Sequence, residues 1–93
     1  MAQIPEALQR IYSASAAMQE VKLEVDAREL NCPLPLLKAK QGLRNLAAGD
    51  LLRVFATDAG SLKDFVSFAQ LTGQVLESFY EQDGSYTYVI RKQ

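Results

Sequence analysis

Between Val21 and Leu46 the spacing of the apolar residues changes from two to three and four. Val21, Leu23 and Val25 alternate with Lys22, Glu24 and Asp26, the pattern of a strand with one buried face. From Pro33 onward, Leu36, Ala39, Leu43 and Leu46 recur at helical steps, which predicts a helix of about 14 residues. A strand over Val21–Ala27 that leads directly into an amphipathic helix is half of a two-layer arrangement, since each element needs the other to cover its apolar side. Gly49 stands where helices often end in the left-handed conformation. Gly42 reads as a weak point, costing on the order of 1 kcal/mol relative to alanine in a helix interior.

The second half repeats the alternation of elements. Leu51–Thr57 reads as a strand, and its apolar character on both sides predicts a central, well-covered position. Ser61 is the expected N-cap of a second helix, with Asp64 three residues on in a reciprocal capping arrangement. Leu62, Phe65, Val66 and Ala69 form its apolar face, and Gly73 its end. Strands near Val75–Glu81 and Tyr86–Lys92 flank Asp83-Gly84, a pair suited to a tight turn at positive φ, and so form a hairpin. The order is strand, helix, strand, helix, strand, strand (β-α-β-α-β-β), and the fold class is an α/β (α+β) two-layer sandwich.

With 93 residues there is room for one core, burying about 60% of the unfolded surface, and residues 21–93 supply it. Residues 1–20 differ in kind. Ile4, Leu8, Ile11 and Met18 approximate a helical stripe, but Ser13, Ser15 and several alanines dilute it. This N-terminal extension is expected to be a short helix or a flexible tail. Either it is a chain end with little function, or it docks a partner.

Charge and composition narrow the function classes. Ten basic and eleven acidic residues leave a net charge of -1, so no general positive field draws the chain to nucleic acid or anionic lipid. A single cysteine and no histidine rule out an internal disulfide and leave a zinc site without most of its usual ligands. No cofactor is implied. No apolar run approaches the roughly 20 residues that span a bilayer, and the first residues lack a basic segment followed by a continuous apolar one. The expected setting is cytoplasmic, with no membrane partner.

Cys32 lies beyond the end of the first strand, immediately before Pro33-Leu34-Pro35. Proline is tolerated in a first helical turn, where amides lack intrahelical partners. Pro33 and Pro35 therefore both suit one helix start, and Cys32 falls at or beside its N-cap. The partial positive charge of that terminus favours a thiolate, and helix N-termini are among the settings that lower a thiol pKa. Pro33 removes one N–H donor, which limits the effect. The plain alternative is a small buried hydrophobe. Nucleophilic hydrolysis through cysteine needs an imidazole, and dithiol redox chemistry needs a second thiol; the chain has neither. What remains is thiol chemistry completed by another protein, and carrying sulfur as a persulfide fits. Asp26 reads as an exposed strand-end residue. Asp58 follows the second strand, and if the two strands are parallel neighbours it shares an edge with both helix starts. A carboxylate close to Cys32 would raise the thiol pKa, so Asp58 reads as a loop or partner-contact residue.

Residues 21–93 resemble the TusA-like (SirA-like) sulfurtransferase family in three stretches: the run from Leu23 through Cys32-Pro33-Leu34-Pro35 to Leu43, the run from Gly49 to Phe65, and the closing Tyr86–Lys92. The spacing from Cys32 to Asp58 and Asp64 agrees as well. The resemblance implies two helices packed on a four-stranded mixed sheet. It implies that Cys32 accepts sulfur from a cysteine desulfurase, holds it as a persulfide and passes it to an acceptor protein. In this reading Pro33 and Pro35 shape the helix start, while Asp26 and Asp58 lie on the rim. Family destinations are 2-thiouridine in tRNA, molybdenum cofactor and sulfur oxidation. Glu29 stands where many members have glycine, and Ala59 where many have proline. The carrier is expected to be a monomer without direct nucleic-acid contact. A regulatory or RNA-binding module is the competing expectation, because the family's fold is similar to the C-terminal domain of translation initiation factor three.

Overall fold

The computed structural model describes residues 9–93. Its regular elements are β1 (Leu23–Ala27), α1 (Leu34–Arg44), β2 (Leu51–Ala56), α2 (Ser61–Thr72), β3 (Val75–Gln82) and β4 (Ser85–Arg91). They occur in the expected order. The sheet runs β1-β2-β4-β3, with β1 parallel to β2 and the remaining pairs antiparallel. Both helices share one apolar cluster: Ala39 and Leu43 of α1 and Leu62 and Phe65 of α2 meet Leu52, Val54, Ala56, Phe79, Tyr88 and Ile90 of the sheet. Asp83 and Gly84 close the hairpin at φ 52° and 82°, both positive as a primed two-residue turn requires.

Packing alters several local expectations. Gly42 is a point of close approach. A Cβ there would stand 3.1 Å from both Leu52 Cδ1 and Val25 Cγ2, so the bare backbone lets α1 settle on β1 and β2, offsetting the lower helix propensity. The helix stops at Arg44 because Asn45 N–H and Leu46 N–H turn back to Gly42 O and Leu43 O, each at 3.1 Å. Such three-residue bonds tighten the last turn. Gly49, at φ 93°, belongs to the following loop.

Ser61 is not the N-cap of α2. Gly60 occupies that place, and Ser61 is the first helical residue, with its buried hydroxyl bonded to Tyr88 Oη at 2.7 Å. A phenol sealed against the core needs a polar partner, and that need outranks capping. Strict alternation also fails in β3, where a register shift between Leu76 and Ser78 lets Leu76 and Phe79 both face the helices.

The sheet's second face is covered from the N-terminal side. Of the expected helical stripe, Ile4 and Leu8 lie outside the described residues, and Met18 is 86% exposed. Ser13 N–H donates to Phe79 O at 2.8 Å, and Phe79 N–H donates to Ile11 O at 3.0 Å, pairing the outer edge of β3, which would otherwise be open. A short 3-10 turn, Ala14–Ala17, follows and buries Ala16 completely. Arg53 of β2 reaches it from below: Nε donates to Ala16 O at 2.9 Å, and the other guanidinium nitrogens contact Gln19 O and the Glu24 carboxylate. The segment is thus seated on the domain.

Candidate functional site

Because β1 and β2 run parallel, the loops that follow them leave the sheet at the same end. One carries Cys32 and the other Asp58. Cys32 is exposed and joined to Pro33 through a cis peptide bond. Pro33 is the N-cap of α1, and Pro35, its second residue, is fully buried. Leu34 and Leu37, 46% and 45% exposed, lie on the same first turn. The thiol is therefore presented on an apolar rim.

The helix terminus offers it little. Leu34 N–H is taken by Asn31 O at 2.9 Å, Leu37 N–H by Pro33 O at 3.1 Å, and Pro35 has none. Instead the Cys32 thiol donates a hydrogen bond to Asp64 Oδ2, from the first turn of α2. The pKa of Cys32 is raised, contrary to the expected lowering. The bond to Asp64 is the largest cause, followed by desolvation and the negative charges of Asp64 and Asp58. The folded chain thus favours the thiol form, and that contribution is lost as pH rises through the folded value.

Asp64, read from the residues as a helix cap, belongs to this site. Its signal was the resemblance's spacing to Cys32, because capping patterns alone cannot tell which way a first-turn carboxylate turns. Asp58 Oδ2 is buried with no hydrogen-bond partner among the described residues. The gap between Asp58 and Cys32 is narrow: a Cβ built on Gly60 would lie 3.0 Å from Asp58 Oδ2 and 3.8 Å from Cys32 Cβ. Asp26 is engaged elsewhere. Its carboxylate accepts from Arg28 Nε at 2.9 Å, Nη2 at 3.0 Å and the Arg28 main chain at 3.1 Å. Those bonds hold its pKa down to about 2, and Arg28 in turn lies over the Phe55 ring.

Glu29 explains its own oddity. It sits at φ 70° with its N–H donating to Thr57 Oγ1 at 2.9 Å, so the loop that delivers Cys32 passes through the left-handed region. Such a conformation costs an L-residue roughly 1–2 kcal/mol. Glu29→Gly is expected to stabilise the fold by about 1 kcal/mol in chemical denaturation; a loss of stability would show that the glutamate side chain supports the turn.

An exposed thiol with carboxylates around it, in a chain without histidine, can exchange sulfur with another thiol or persulfide and lacks the imidazole that cysteine hydrolases use. Comparison with known proteins points the same way. Residues 23–92 match the family model described as Sulfurtransferase TusA. The chain is 45% identical over 75 residues to the sulfur carrier protein TusA of Allochromatium vinosum, covering 81% of this chain and 99% of that one. It is 44% identical over 68 residues to the sulfur carrier protein TusA of Pseudomonas putida strain F1, covering 73% and 85%. Among solved structures, the SirA-like protein of Desulfitobacterium hafniense superposes with a TM-score of 0.66 at 28% identity, covering 75% and 96%.

Proposed function

The chain belongs to the TusA sulfurtransferase family, and from that premise we propose that it is a sulfur carrier whose Cys32 is the cargo site. The observation that carries this reading is the placement of the chain's one thiol: exposed, at the head of α1, on an apolar rim a partner can cover. A carrier needs a donor and an acceptor. The donor is a cysteine desulfurase bearing a persulfide, and the acceptor is a second thiol protein. The relay ends in tRNA 2-thiouridine, molybdenum cofactor or a related sulfur product.

The chain acts as a monomer in the cytoplasm; among the described residues, no helix is long and apolar enough to cross a membrane. Pro33 and Pro35 shape the helix start. Asp58 lines the inner side of the site, and Asp26 holds Arg28 on the rim.

Incubation with a cysteine desulfurase and free cysteine is expected to add one sulfur atom to the intact mass of the wild type and none to Cys32→Ala. The added sulfur is released by a reductant. Addition that persists in Cys32→Ala, or no addition to the wild type, would sink the reading.

A further inference from the structure

Cys32 is faced by acids. Its thiol donates to Asp64 Oδ2 on α2, and Asp58, on the loop after β2, adds a second negative charge. The first turn of α1 contributes no charge, being Leu34, Pro35, Leu36 and Leu37. Behind the carboxylates, Ser61 and Tyr88 are bonded to each other, so neither neutralises them. Asp58 Oδ2 is left without a donor among the described residues although it is buried. A cysteine meant to react with any small electrophile stands beside a cation, because the thiolate is the reactive species. Here the surroundings are of the opposite sign.

Building on the carrier reading, we propose that Asp64, backed by Asp58, determines which sulfur donors Cys32 accepts. The two carboxylates keep the proton on the thiol in the free chain, and a cationic side chain of a docked donor protein releases it. The cation docks against the Asp64 carboxylate, whose bond to the Cys32 thiol lies at the surface, and the charge of Asp58 behind it adds to the attraction.

With the carboxylates neutralised, Cys32 ionises and its thiolate attacks the outer sulfur of the donor persulfide R–S–SH. A new S–S bond forms at Cys32 Sγ as the donor's S–S bond breaks. The donor sulfur leaves with the bonding electron pair and takes up the proton Cys32 released. Cys32–SH and R–S–SH thus become Cys32–S–SH and R–SH, with no net oxidation. A small persulfide of net negative charge does not dock, so it holds no cation against the carboxylates and leaves the thiol protonated.

The test compares wild type with Asp64→Asn in two assays: the pH profile of iodoacetamide alkylation, and sulfur loading from glutathione persulfide against loading from a desulfurase. Asp64→Asn is expected to move the alkylation profile down by about one pH unit, which means about tenfold more thiolate at a fixed pH on its rising limb. Its preference for the desulfurase over glutathione persulfide is expected to fall by about tenfold, in step with that gain in thiolate. Asp58→Asn moves both readouts in the same direction by less.

An unchanged alkylation profile in Asp64→Asn, or a wild type that loads equally from both donors, overturns the proposal. A wild type that loads from neither overturns the carrier reading instead. Should Asp64→Asn fail to fold by circular dichroism, Asp58→Asn decides by the same two readouts.

Discussion

Phe65→Ala is expected to remove about 3–5 kcal/mol of stability, the usual cost of emptying a buried phenylalanine site. Phe65 is 1% exposed, and its ring stacks on Tyr88 with centroids 4.3 Å apart and planes at 27°. That contact ties α2 to β4, one of the two inner strands of the sheet. A domain of this kind is stable by only about 5–15 kcal/mol in total, so the loss is a large share of it. At roughly 4–8 °C per kcal/mol for a chain of this size, the melting temperature falls by about 12 °C or more. The site suffers too, because Asp64 precedes Phe65 on the same helix and reaches Cys32 only while α2 is docked. Thermal denaturation and the alkylation profile of Cys32 check the two effects together. A cost under about 1 kcal/mol, the range of a tolerated core swap, would mean that α2 is not held by this ring.

Arg53→Met is the second large effect, and its reasoning is polar. Arg53 is 6% exposed, and its guanidinium donates to two main-chain carbonyls, Ala16 O and Gln19 O. Methionine fills the space and leaves both carbonyls covered without a donor. Each orphaned acceptor costs about 1–3 kcal/mol, so the variant is expected to lose about 2–6 kcal/mol or to shed the segment and let water reach the oxygens. The ion pair with Glu24 adds little, since that carboxylate is 54% exposed and screened. Arg53→Lys does not rescue, because an ammonium lacks the planar fork that meets several acceptors at once. Amide exchange at Ser13, Ala16 and Gln19 reports the outcome. Unchanged exchange, with stability inside about 0.5 kcal/mol of wild type, would show that the segment is not anchored by Arg53.

Much of the architecture was legible along the chain because the two periods are. Val21, Leu23 and Val25 alternate, Leu36, Ala39 and Leu43 step helically, and a sheet face and a helix stripe with those spacings have few ways to meet. The Asp83-Gly84 turn was legible for a local reason, since both residues sit at positive φ in the turn their types favour. Less legible were features that depend on what lies across a gap. Arg53, a lone charge in an otherwise apolar strand, is a buried donor because main chain from residues 16–19 settles over it. Glu77 falls at a bulge that the alternation of β3 gives no sign of.

Local order in this chain decided the elements, their sequence along the chain, and the position of the lone cysteine at a helix start, since each follows from contacts between near neighbours. The ionisation of that cysteine was decided elsewhere. Asp64 lies 32 residues downstream, and only the parallel pairing of β1 with β2 brings the starts of α1 and α2 to one edge. A thiol pKa is set by the charges and donors within a few ångströms in space. Those neighbours come from the fold, which is why the helix start alone pointed to a lowered pKa and the assembled site raises it.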